Sequence, residues 1–197
     1  HVVFSPGSRS TPLILACEEE PRLQTIPVLD ERTAGFVALG LGKRRRLPTA
    51  LICTSGSAVT HWFPAVVEAD HSSTPLLLLS ADRPPELQDC AAGQTIDQVD
   101  LFGRFGRAFF QAPLPDQDKE ALPVLRKMLV EAYRATLGKD PGPVHLNFPF
   151  REPLLSQEDD LPTIGPPPLS ANLTDLGLPP DADTCGLLEH LGACRRL

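Results

Sequence analysis

From residue 1 to about 150, short aliphatic or β-branched runs alternate with segments of helical period. The runs at 1–4, 25–29, 49–54, 75–80, 106–111 and 143–148 predict six strands. Several are apolar throughout, as in Leu76-Leu77-Leu78-Leu79, which is the pattern of strands covered on both faces. Between them, Ala34, Val37, Ala38 and Leu41 fall at i, i+3, i+4, i+7, and Val59, Trp62, Phe63, Val66 and Val67 repeat the spacing. Both segments predict amphipathic helices lying on a sheet. A third helix is predicted over 117–137, with Leu122, Leu125, Leu129 and Ala132 on one face and Gly138 and Pro141 as stops. Strand and helix in alternation imply βαβ units, hence an α/β fold with a doubly wound, mainly parallel six-stranded sheet and helices on both faces.

After Pro153 this pattern ends. An acidic, proline-rich stretch containing Gly165-Pro166-Pro167-Pro168 and Pro179-Pro180 makes 156–183 read as an extended linker. Residues 184–197 resume a helical pattern through Leu187, Leu188 and Leu191, too short to be stable unpacked, and read as the start of a further domain. The expected organisation is one domain over 1–155, a linker and a second domain only begun. The chain also opens directly on a strand, so an element is expected before it.

Composition narrows the classes of function. A chain of 197 residues with 42% hydrophobic content can bury one substantial core. A formal net charge of −7 leaves no surplus of cations to replace the counterions of nucleic acid or an anionic membrane. No apolar run approaches the roughly 18 to 20 residues that span a bilayer. Cys17, Cys53, Cys90, Cys185 and Cys194 form no CxxC pair, which fits a reducing cytoplasm. The histidines lack HExxH spacing and the serines lack a GxSxG elbow, so neither a metal centre nor a serine nucleophile is indicated.

Ligands of open α/β sheets bind outside the carboxyl ends of the strands, so the chemistry is sought in the loops that leave them. Ser5-Pro6-Gly7-Ser8-Arg9-Ser10 leads from a strand into a helix opened by Thr11-Pro12. It is either an ordinary capped turn or an anion site built from backbone N–H groups and an arginine. It matches neither the dinucleotide nor the P-loop glycine pattern. Asp30-Glu31-Arg32-Thr33 places carboxylates at a helix start, where the dipole alone would favour them. The hydroxyls of Thr54-Ser55-Gly56-Ser57 either cap a helix or meet a ligand, capping being the simpler reading. Asp82-Arg83-Pro84-Pro85-Glu86-Leu87, followed by Gly93-Gln94-Thr95-Ile96-Asp97-Gln98, is a stiff polar exit from the most apolar strand. Its prolines restrict where Arg83 points, and Arg83 would share a sheet edge with Arg9, two planar donor forks suited to carboxylates.

Taken in order and spacing, SPGSRSTPL, DERTAGFVALGL, TSGSA, SADRPPEL, GQTIDQ and HLNFPFREPL resemble one family across residues 1 to about 155. That family is the 2-succinyl-5-enolpyruvyl-6-hydroxy-3-cyclohexene-1-carboxylate synthases (MenD) of menaquinone and phylloquinone biosynthesis. TSGSA or the acid alone would indicate only the wider group of thiamine-diphosphate-dependent enzymes. The resemblance implies the pyrimidine-binding domain of a transferase that decarboxylates 2-oxoglutarate and joins the succinyl unit to isochorismate. By it, Glu31 is the acid that activates the aminopyrimidine ring of thiamine diphosphate. Thr54, Ser55 and Gly56 line that end of the cofactor, and Ser8, Arg9, Arg83 and Gln94 bind isochorismate. Gly93 departs from the pattern, since some relatives carry an amide side chain there.

The family's GDG motif and following asparagine, which hold Mg²⁺ and the diphosphate, occur nowhere in the 197 residues. The resemblance therefore implies half of an active site, with no metal ligands of its own, inactive alone and completed across subunits of a homodimer or homotetramer. Two alternatives stand beside it, an acetolactate-synthase-like carboligase and a non-catalytic α/β binding module. SRS with DRPPEL disfavours the first, and a GDG motif encoded downstream would exclude the second.

Overall fold

The computed structural model describes residues 1–115 and 121–155. The expected linker and second domain lie outside the described residues. Six strands, β1 (Val2–Phe4), β2 (Thr25–Pro27), β3 (Thr49–Cys53), β4 (Leu76–Asp82), β5 (Ala108–Gln111) and β6 (Pro143–Pro149), form one sheet. Their order is β2-β1-β3-β4-β6-β5 and every pairing is parallel. The expected fold class is what the structure shows.

Strand period decides which helices each side chain meets. Ala50, Ile52, Leu77, Leu79, Val144 and Leu146 pack in one apolar cluster with Leu13 and Cys17 of α1 (Thr11–Glu18) and Leu129 and Ala132 of α4 (Ala121–Leu137). Their neighbours Leu51, Cys53, Leu76 and Leu78 turn to the opposite face. There they meet Ala34 and Ala38 of α2 (Glu31–Arg45) and Val66 and Ala69 of α3 (Phe63–His71). A fully buried leucine contributes about 1.5–3 kcal/mol, so the central run Leu76–Leu79, with no exposure at any position, anchors both layers.

Two departures from the sequence expectation bear on the site. The helical pattern begun at Val59 is not one α-helix: Gly56–Trp62 is a 3₁₀ segment, and α3 starts only at Phe63. Pro64 lies in the first turn of α3, the one place where a missing N–H costs no intrahelical bond. Strand β4 runs on to Asp82, because pairing with β6 continues through Asp82 and Pro149. The predicted start of the third helix at 117–120 lies outside the described residues, which take it up at Ala121.

Candidate functional site at the carboxyl edge of the sheet

Because β1, β3 and β4 are parallel neighbours, their exits converge on one edge. After β1, Ser8–Ser10 form a single 3₁₀ turn, with Ser10 Oγ donating to Gly7 O at 3.0 Å. Ser8 is exposed, whereas Arg9 is only 3% exposed and points inward. Its Nη1 donates to Phe150 O at 2.8 Å and its Nη2 pairs with Glu152 at 3.0 Å. Burial, and after it the charge of Arg83, lower the Arg9 pKa, while Glu152 opposes the shift. The two arginines expected at one sheet edge are thus within electrostatic reach of each other. The Nε of each is buried without a hydrogen-bond partner among the described residues, so each arginine carries a buried donor that the protein itself does not satisfy.

At the start of α2 the two carboxylates divide the work. Asp30 is the N-cap, accepting from Thr33 N at 2.7 Å and Thr33 Oγ1 at 2.8 Å. These bonds lower its pKa. Glu31 is the first helical residue, half-buried, and its carboxylate has no hydrogen bond or ion pair among the described residues. It lies near enough to Cys53 at the end of β3 for its charge to help hold that thiol protonated, after burial itself. The helix-start explanation therefore applies to Asp30 and leaves Glu31 unexplained.

The turn after β3 corrects the capping expectation, since Ser55 precedes the 3₁₀ segment without a side-chain cap. Its Oγ donates to Gln94 O at 3.0 Å instead, and Gln94 Nε2 returns a bond to Ser55 O at 3.2 Å. Gly56 has φ +83, a left-handed conformation that glycine adopts at no steric cost. A Cβ there would lie 2.9 Å from the Gln94 side chain. Gln94 is itself exposed and left-handed at φ 57. Arg83 Nη2 donates to Gly93 O at 3.2 Å, so the exits from β3 and β4 close on each other around Gln94. Gly93 is exposed, with open space where a side chain would stand.

Beneath these loops lies a polar cluster that the sequence reading passed over. Ser80 and Asp82 of β4, and His145 and Asn147 of β6, are all buried. Their spacing of two puts each pair on one face, and register sets Ser80 opposite Asn147. Asn147 Nδ2 donates to Asp82 at 2.6 Å and to Gln111 at 3.1 Å, while its Oδ1 accepts from Ser80 and Gln98 at 2.7 and 2.8 Å. Since Ser80 spends its only proton on Asn147, the 2.7 Å contact with His145 Nε2 requires the proton on that nitrogen. His145 Nδ1 is then a bare acceptor between the rings of Phe102 and Phe109. Burial lowers the His145 pKa to about 3, so the ring is neutral. The signal that could have found this cluster was polar residues two apart in otherwise apolar strands.

The described residues hold no cluster of three or more His, Cys, Asp or Glu placed to bind a metal, and no helix long and apolar enough to cross a membrane. The unpartnered guanidinium donors of Arg9 and Arg83 suit an anionic group.

A family model for the "Thiamine pyrophosphate enzyme, N-terminal TPP binding domain" matches residues 1–101. The chain is 52% identical over 157 residues to the 2-succinyl-5-enolpyruvyl-6-hydroxy-3-cyclohexene-1-carboxylate synthase of Synechococcus sp. (strain JA-3-3Ab), covering 80% of this chain and 26% of that protein. It is 46% identical over 188 residues to the enzyme of the same name from Trichormus variabilis (strain ATCC 29413 / PCC 7937), covering 92% and 32%. Among solved structures, benzoylformate decarboxylase from Polynucleobacter necessarius superposes with a TM-score of 0.62 at 19% identity, over 75% of this chain and 26% of that one. That likeness shows the fold. The chain spans about a quarter to a third of the length of the curated relatives it matches.

Proposed function

From the premise that this chain belongs to the thiamine pyrophosphate enzyme family, as its N-terminal, cofactor-binding domain, we propose that it serves a synthase that decarboxylates 2-oxoglutarate and joins the succinyl unit to isochorismate. Bound thiamine diphosphate supplies the carbon nucleophile and the electron sink for that chemistry. The observation that carries the reading is Glu31, a carboxylate at the sheet's carboxyl edge released from capping by Asp30. In this role Glu31 shares a proton with the nitrogen of the aminopyrimidine ring, a positioned acid–base function. Thr54, Ser55 and Gly56 line the same end of the cofactor.

Ser8, Arg9, Arg83 and Gln94 bind isochorismate. The unpartnered Nε atoms of Arg9 and Arg83 support this, because a carboxylate satisfies buried guanidinium donors better than water. For Arg9 to use its Nη2 as well, the exposed Glu152 must let go. The diphosphate and Mg²⁺ are held by a domain beyond residue 155, from another subunit of a cytoplasmic homodimer or homotetramer. Leu29 and Phe36, 83% and 45% exposed on either side of Glu31 in sequence, are apolar surface for that contact.

Calorimetry tests the half-site directly. The 197-residue chain is expected to bind thiamine diphosphate with Mg²⁺ no tighter than millimolar, and the complete protein to bind it and consume both substrates. Micromolar binding by the chain alone would refute the half-site. Conversion of pyruvate to acetolactate by the complete protein would favour the alternative carboligase.

A further inference from the structure

Gln98 is assigned no part in this reading, yet its side-chain amide makes three hydrogen bonds beside the site. It is 1% exposed. Its Oε1 accepts from Gly56 N at 2.8 Å, and its Nε2 donates to Ala81 O at 3.1 Å and Asn147 Oδ1 at 2.8 Å. One partner is a donor and two are acceptors, so only an amide in one orientation satisfies all three. From Asn147 the chain of bonds continues to Asp82 Oδ2, and Asp82 Oδ1 accepts from Arg83 N at 2.7 Å. Five residues thus run without a gap from the left-handed Gly56 to Arg83. Every polar group between them is buried, where an unmade bond costs the full desolvation of its partner.

We propose that Gln98, Asn147 and Asp82 are positioning residues that hold the cofactor-lining turn at Gly56 and the carboxylate-binding Arg83 in one fixed register. The loop at 93–98 is therefore pinned through the buried Gln98, while Gln94 stays exposed and donates to Ser55 O. Burial raises the Asp82 pKa against the bonds from Asn147 and Arg83 N–H, as expected of a carboxylate retained for its geometry. The inference rests on the thiamine-diphosphate reading of Gly56 and Arg83, and its test separates the two.

In the complete enzyme, Gln98→Met keeps the length of the side chain and removes all three bonds. At a temperature well below the melting transition, the calorimetric Kd for thiamine diphosphate and the KM for isochorismate should both rise, each roughly tenfold. A lowered Tm with either constant unchanged would reduce Gln98 to packing and overturn the proposal. Should Gln98→Met fail to fold, Gln98→Glu decides, because it keeps an acceptor for Gly56 N–H but turns an oxygen on Ala81 O and Asn147 Oδ1. Its cofactor Kd should stay near wild type while the isochorismate KM rises roughly tenfold, and an unchanged KM overturns the proposal. If the wild-type enzyme shows no affinity for thiamine diphosphate, the functional reading fails. If it binds and the Gln98 variants match it, only the positioning role fails.

Discussion

Gly7 and Thr54 are in such close contact that a Cβ on Gly7 would fall 2.5 Å from Thr54 Cβ and 2.8 Å from its Cγ2. The first and third loops of the site therefore touch with no room for a methyl group. Space is the reason, since Gly7 has φ −169, extended backbone open to any residue. Gly7→Ala should cost about 1–3 kcal/mol by overpacking and displace Thr54 from the cofactor side. A thermal melt with cofactor calorimetry reads both effects. Gly93→Ala, with open space around it, is the control expected to melt as wild type.

Glu31→Gln keeps size and a hydrogen bond but cannot share a proton with the ring nitrogen. Hydrogen–deuterium exchange at C2 of bound thiamine diphosphate should slow by roughly 10² to 10⁴ in the complete enzyme. The melt should be unmoved, because Asp30 and not Glu31 caps α2. An exchange rate near wild type would return Glu31 to the role of a helix-start residue.

Arg83→Ala should impair isochorismate use and spare the decarboxylation of 2-oxoglutarate. Loss of a charge-assisted contact costs about 1.5–3 kcal/mol, or roughly ten- to a hundredfold in the second-substrate term. The half-reactions are separated by following carbon dioxide release with and without isochorismate. An effect confined to decarboxylation would withdraw the assignment.

His145 makes stability fall on the acid side. Its folded pKa of about 3 lies below the unfolded value of 6.5, so the unfolded chain takes up the proton first. The contribution is complete above pH 6.5 and is lost as pH falls toward 3, at up to about 1.4 kcal/mol per pH unit. Asp82, with its pKa raised by burial, acts in the opposite sense, so the comparison must be made against a variant that retains it. His145→Gln can still donate to Ser80 and does not titrate. Urea melts from pH 7 to pH 4 should show a shallower decline in the variant, and parallel curves would contradict the buried neutral ring.

The amino-acid sequence by itself determined the α/β class and all six strands, and it pointed to the loops of the candidate site. Period is a local property: Leu76–Leu79 needs cover on both faces and Ala34, Ala38 and Leu41 share one helix face whatever lies elsewhere. The family motifs likewise singled out Glu31, Arg9 and Arg83 by order along the chain. Tertiary structure decided everything that depends on neighbours distant in sequence. That Asp30 takes the cap and frees Glu31, that Ser55 turns to Gln94 rather than to its own helix, and that Arg9 is buried against Phe150 and Glu152 are outcomes of competing partners. The join from Gly56 through Gln98 and Asn147 to Asp82 spans three strand exits. Hydrogen bonds select among partners only once the sheet has set β3, β4 and β6 side by side, and strand order is a choice that local pattern does not make.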